Sequence, residues 1–350
     1  MSIFKSLVRK EALHIVRDPR TMVITLLMPI VLLLLFGFAI STEVNDVRVV
    51  AVVDQFTDET RGILQRLSVN DYFTFQGLTA PEDVDMLLRS GKTDAALFLR
   101  NEEGLLKSQI VVDASNTNTA QTATAYIRGV INGTSAKSPI LTSTLYNPQL
   151  KSAYNFVPGI LGMIFILICA IMTSVSIVRE KETGTMSLLL VSPVKPRTII
   201  LGKLVPYFLL SCVILTVMLL MAYTVLGLPV SSSVISVIAV SLLYIILSLS
   251  IGLMVSTVVD TQLTALIVSA VMFMLPVIML SGMIFPVDNM PVVLQWISNI
   301  IPARWYIEAM RKLMVQHLAL SYILKDVLIL LIMTIVLLAA SIAKFKSSTK

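Results

Sequence analysis

Six apolar runs, each near the roughly 20 residues that a helix needs to cross a bilayer, dominate the chain. They cover residues 22–40, 157–178, 204–226, 234–259, 262–284 and 327–343. The chain is 56% hydrophobic and 14% charged, whereas soluble domains hold about 25% charged residues. The fold class expected is an α-helical polytopic membrane protein with six transmembrane helices and an inserted α/β extracytoplasmic domain. The net charge of +6 is spread over many segments. That spread reads as membrane orientation, not nucleic-acid binding.

An even number of spans puts both ends on one side, and basic residues flanking the spans assign that side to the cytoplasm. The N-terminal arm carries Lys5, Arg9, Lys10, Arg17 and Arg20. The 179–203 segment carries Arg179, Lys181, Lys195, Arg197 and Lys203. The tail, 344–350, carries Lys344, Lys346 and Lys350, while the 227–233 loop carries none. The first run is longer than the roughly 7–15 residues of a signal-peptide core, so it reads as a retained helix. Residues 1–21 predict a cytoplasmic interfacial helix on the inner leaflet. Ile3, Phe4, Leu7, Val8, Ala12 and Ile15 share one arc, and Lys5, Arg9, Lys10 and Arg17 the opposite one. Glu11 and His14 intrude on the apolar arc, and Asp18-Pro19 ends the helix.

Residues 41–156 have soluble character. Val47–Val53, Tyr72–Leu78, Ala95–Leu99 and Gln109–Val112 read as strands. Thr57–Ser68, Pro81–Ser90 and residues 117–137 read as helices, with Asp58 and Glu59 in a first turn. This order predicts a compact α/β domain whose core includes Val50, Val52, Leu64, Leu67, Phe73, Leu87 and Leu97. Gly91-Lys92-Thr93 imitates the end of a phosphate-binding loop, but Met86 stands where that motif needs glycine. Cys169 and Cys212 fall inside apolar runs, so no disulfide framework is implied.

Two segments between spans carry more pattern than a connector needs. In 179–203, the charged Arg179-Glu180-Lys181-Glu182 precedes Gly184, which permits a sharp turn. An apolar stretch from Thr185 through Leu188 follows, stopped by Pro193 and Pro196. In 285–324, prolines divide two short segments that hold both tryptophans, Trp296 and Trp305. This reads as an outer re-entrant or interfacial hairpin. Arg304/Glu308 and Glu308/Lys312 sit at i,i+4 spacing. A solvated pair and a gate over a transport path, with Phe285, Trp296, Arg304, Trp305 and Glu308 as its residues, both fit. His14 and His317 are the only histidines, and no metal-ligand spacing or nucleophile-with-base arrangement occurs. No catalytic or metal site is expected. The spans are nearly free of ionisable residues, whereas ion-driven pumps place such groups at mid-depth.

The segment REKETGTMSLLLVSPVKPRTIILGKLVPY resembles the signature of the permease subunit of type-2 ATP-binding-cassette exporters, in the bacterial subgroup with a large external domain after the first helix. AVVDQFTDETRGILQRL, VVDASNTNTAQTATAYI, NFVPGILG and SGMIFPVDNMPVVLQWISNIIPARWYIEAMR extend the resemblance over essentially the whole chain. One departure is Ala114, where family members often have glycine after the aspartate. The resemblance implies a multi-pass subunit of the bacterial inner membrane. It would pair with a second copy or a related permease and dock a separate cytoplasmic ABC ATPase. The chain itself would bind no cofactor, with ATP and magnesium on the partner. Arg179, Glu180, Lys181, Glu182, Gly184, Thr185, Leu188 and Asp260 would couple to that ATPase. Phe165, Met272, Phe273, Met274 and Met279 would line the substrate path. Membrane lipid and a periplasmic adaptor are further partners, and nucleic acid is not. The substrate class would be amphipathic or hydrophobic. Two alternatives are a membrane receptor or scaffold, which calls for a signalling domain, and a secondary antiporter, which calls for internal repeats and mid-depth charges.

Overall fold

The structure, a computed structural model, describes residues 3–39, 47–70, 73–102, 105–112, 117–132, 152–186, 194–230, 233–287 and 290–347. In chain order, helices α1 (Ile3–Arg17) and α2 (Pro19–Ala39) precede β1 (Val47–Val53), α3 (Asp58–Val69), β2 (Phe73–Leu78) and α4 (Val84–Arg89). Then come β3 (Ala95–Glu102), β4 (Leu105–Val112) and α5 (Thr117–Asn132). The helical remainder comprises α6 (Ser152–Glu182), α7 (Pro196–Thr224), α8 (Val234–Ser256) and α9 (Gln262–Leu280). It ends with α10 (Val292–Ile300), α11 (Pro302–Met314) and α12 (Leu324–Ser347). Contacts divide the chain into a helical unit, residues 1–40 with 152–350, and a second unit, residues 41–151.

In the second unit the strand order is β2-β1-β3-β4. β1 pairs in parallel with β2 and β3, and β3 with β4 antiparallel. Alternation of side chains along β1 gives each face its own core. Val47 and Val49 meet Ile63, Leu67, Leu97 and Ile127 on one face; Val50, Val52, Val84 and Ala96 meet on the other. Leu64 and Leu87 are only half-buried, because the inward stripe of α3 runs through Ile63 and Leu67. β3 and β4 are longer than their apolar patterns, since the antiparallel ladder from Ala95↔Val112 to Glu102↔Leu105 carries polar residues along with it. Thr57 caps α3 by accepting a hydrogen bond from the Thr60 N–H at 3.2 Å. The Gly91-Lys92-Thr93 triplet ends α4 and holds the sheet edge, where Thr93 Oγ1 donates to Gln76 Oε1 at 2.6 Å.

In the helical unit, five helices are long and apolar enough to cross a membrane: α6, α7, α8, α9 and the last, α12. The number is six if the pair α1–α2, bent by 69°, counts as one span. The center of the bundle is α6 against α8. At Gly252 of α8 a Cβ would fall 2.6 Å from the Ala170 carbonyl oxygen of α6; only glycine lets the two backbones come so close. Several polar side chains in the bundle find hydrogen-bond partners there. Tyr244 donates to the Gly162 carbonyl at 3.0 Å and stacks on Tyr306, whose hydroxyl lies 3.0 Å from Ser241 Oγ. Ser174 and Ser269 join α6 to α9 at 3.0 Å. Away from α6, most of α9 is exposed, with Ala265, Ser269 and Val277 its buried residues.

The structure shows which face of α1 meets the bundle. Its inward side comprises Leu7, Val8, Glu11 and Ile15, packed toward α7 and α2, while Ile3, Phe4, Leu13 and Val16 are exposed. Glu11 is therefore no intruder: Lys203 waits for it inside.

Candidate functional site

The ends of 179–203 are helical, α6 reaching Glu182 and α7 starting at Pro196. Charges can remain in helix there because they answer one another across elements. Lys203 of α7, with its side chain 5% exposed, lies 2.9 Å from Glu180 of α6 and 3.3 Å from Glu11 of α1. Glu180 also accepts from Lys10 at 2.7 Å. Two acids and two bases thus neutralise one another where α1, α6 and α7 meet. Glu180, expected to face a partner, is turned inward because two lysines converge on it. Sequence spacing could not expose Glu11 and Lys203 as a pair; an acid on an apolar arc was the only signal.

The next two residues of α6 grip a different element. Lys181 Nζ donates to the Ser256 carbonyl and, at 3.4 Å, to the Val259 carbonyl. The Ser256 carbonyl ends α8, where the helix dipole favours a cation, and the Val259 carbonyl lies in the turn that follows. Glu182 accepts from the Gln262 backbone N–H at 3.2 Å and its Nε2 at 2.8 Å. That N–H opens α9, where the dipole favours an anion. A Lys-Glu dipeptide therefore complements both sides of the turn that exposes Asp260. Arg179, Gly184 and Thr185 are exposed beside it, with Gly184 at φ +73° and Thr185 Oγ1 donating to the Glu180 carbonyl at 3.3 Å. The structure brings Lys181 and Glu182 onto the turn that carries Asp260, while Glu180 between Arg179 and Lys181 faces the other way. Leu188 lies outside the described residues.

The expected path residues lie on two helices, α6 and α9. Phe165 is 1% exposed inside the bundle and Phe273 is half-buried, whereas Met272, Met274 and Met279 are exposed on α9. At the far hairpin, Phe285 and Trp296 are exposed and Trp305 is buried. Arg304 does not pair with Glu308: its Nη1 donates to Asn299 Oδ1 at 2.7 Å and the Gln295 carbonyl at 3.3 Å. Glu308 pairs with Lys312 at 2.8 Å, and Lys312 reaches the buried Asp326 of α12 at 2.8 Å. Burial opposes the Lys312 charge, but its bonds to Asp326 and Glu308 outweigh burial and raise its pKa. A raised lysine pKa adds stability that is complete below the ordinary value and fades only as pH rises through the shifted one. Among the described residues, no group of three or more His, Cys, Asp or Glu is placed to hold a metal ion.

The profile of the ABC-2 family transporter proteins matches residues 19–343. The chain belongs to the ABC-2 transporter family. It is 28% identical over 361 residues to an Escherichia coli K12 protein described as a probable multidrug ABC transporter permease, YbhS; the alignment covers 97% of this chain and 94% of that one. It is 27% identical to a second such permease of that organism, YbhR, with 97% of both chains covered. A shorter match, 29% over 144 residues, is to the E. coli inner membrane transport permease YhhJ, covering 36% of this chain and 37% of that one. In this ABC-2 chain the clamp from Lys181 and Glu182 to the α8–α9 turn is the feature that gathers the expected coupling residues.

Proposed function

We propose that the chain is the permease subunit of an ABC exporter. It moves an amphipathic or hydrophobic substrate out of the cytoplasm or inner leaflet, using ATP hydrolysed with magnesium on a separate ATPase subunit. The exposed end of α6, the turn at Asp260 and the apolar stretch after Gly184 form the seat of that ATPase. The observation that carries this reading is the Lys181–Glu182 clamp: a push on the end of α6 reaches α8 and α9 through direct hydrogen bonds. A second copy or a related permease covers part of the apolar face that α9 leaves exposed. The subunit resides in the inner membrane with six spans, both termini cytoplasmic and residues 41–151 outside.

Glu182→Lys tests the coupling. It places a cation at the start of α9 and removes two hydrogen bonds. With a partner ATPase subunit coexpressed, ATPase recovery or ATPase activity in proteoliposomes should fall on the order of tenfold, with the permease still inserted. Normal recovery together with normal activity would remove the clamp from the mechanism. Topology has its own test: in intact cells an impermeant thiol reagent should label a cysteine at Ser68 and spare one at Ser347. The reverse pattern would place the second unit inside.

A further inference from the structure

The far hairpin and the first turn of α12 hold one cation each, Arg304 and Lys325, that the exporter reading does not use. The Arg304 guanidinium carbon lies 5.0 Å from the Trp305 ring centroid, and Lys325 Nζ lies 5.5 Å from the same centroid. Trp305 is 6% exposed and donates its indole N–H to the Asn299 carbonyl at 3.0 Å, so the ring that both cations approach is fixed in place. Arg304 spends Nη1 on Asn299 and Gln295. Its Nε and Nη2 have no partner among the described residues, and they form the planar fork that accepts two oxygens of one phosphate. Neither cation has a carboxylate within 4.0 Å among the described residues: Glu308 goes to Lys312, and Asp326 turns inward to the same lysine. α11 begins at Pro302, so its positive dipole end adds to the field.

Apolar surface borders the charges. Val293, Trp296 and Ile300 are all more than 70% exposed and share one face of α10, the helix leading into Arg304. Leu324 and Leu328, also exposed, flank Lys325 on α12. Cations beside an apolar wall with an exposed tryptophan match the boundary between headgroups and acyl chains.

We propose that Arg304 and Lys325, over Trp305, bind the phosphate of an anionic glycerophospholipid whose acyl chains lie along Val293, Trp296 and Ile300. The site is a headgroup anchor for the hairpin. It does not depend on the ATPase or on transport, so its failure leaves the exporter reading standing.

The test is lipid retention by the purified full-length chain, read by native mass spectrometry with added phosphatidylglycerol. Arg304→Gln with Lys325→Gln should lower occupancy on the order of tenfold, the loss expected for removed charge-assisted hydrogen bonds. Lys325→Gln alone, at an exposed position, guards against misfolding and should give a smaller drop. Arg304→Lys keeps the charge but loses the fork, and should bind less than the parent. Diacylglycerol, which lacks the phosphate, should not be retained. Equal retention of phosphatidylglycerol by parent and both glutamine variants overturns the proposal. So does equal retention of diacylglycerol, or displacement of the lipid by millimolar inorganic phosphate, which would mark a free-anion site.

Discussion

Gly252→Leu should prevent folded protein from accumulating in the membrane, and Gly252→Ala should lower its thermal midpoint in detergent. Position 252 faces α6 so closely that a Cβ would sit 2.6 Å from the Ala170 oxygen, 2.9 Å from its Cα and 2.8 Å from Thr173 Cβ. Two of those atoms are backbone, which cannot swing away as a side-chain end does. The helices must separate instead, and this seam includes the fully buried ring of Tyr244, with its bond to Gly162. Overpacking by one methyl costs about 1–3 kcal/mol in well-packed interiors, and leucine adds three more carbons to the same clash. Membrane yield, then thermal unfolding followed by size-exclusion chromatography, measures both effects. An unchanged midpoint for the alanine variant would mean that the seam yields easily, contrary to the packing described.

Lys203→Met should release α1. The ammonium is the shared partner of Glu11 and Glu180, whose side chains are 8% and 10% exposed. Without it, two carboxylates face each other, Glu180 with Lys10, half in solvent, and Glu11 with the Ser176 hydroxyl at 3.5 Å. Breaking a buried pair by removing one partner costs about 3–5 kcal/mol, whereas replacing all members by neutral groups is often near neutral. Hydrogen exchange across residues 3–17 should therefore speed up in Lys203→Met. It should return most of the way when Glu11→Gln and Glu180→Gln are added. If exchange in α1 stays slow in the single variant, apolar packing on α7 holds the helix and the charges do not.

The spans were readable because lipid-depth helices must be apolar over a fixed length, and each apolar run lies largely within one helix. The elements of the second unit were readable from the apolar run Val47–Val53, the alternation along Tyr72–Leu78 and the acidic first turn after Thr57, but their order in the sheet, β2-β1-β3-β4, was not. Pairings between distant elements were not. Glu11 resembled a flaw in an amphipathic pattern until Lys203 stood opposite it. Glu180 and Glu182 are two residues apart, about 200° around the helix, so one turns inward and the other toward the next turn; composition treats them alike. The i,i+4 rule offered Arg304 a partner in Glu308, and Lys312 took that partner instead because it also neutralises Asp326 on another helix. Helical periodicity names neighbours within an element. It carries no information on which charges other elements bring.

The buried carboxylate of Glu11 also limits how parts of such proteins can be exchanged. A hybrid that takes its opening helix from another permease will seat it on this bundle only if the donor supplies an acid at the position facing Lys203. An apolar residue there would leave the lysine with Glu180 alone, and a basic one would expel the helix. Modular as the opening segment looks in the sequence, its seat is keyed by a charge carried much later in the chain, so the two must be transplanted together.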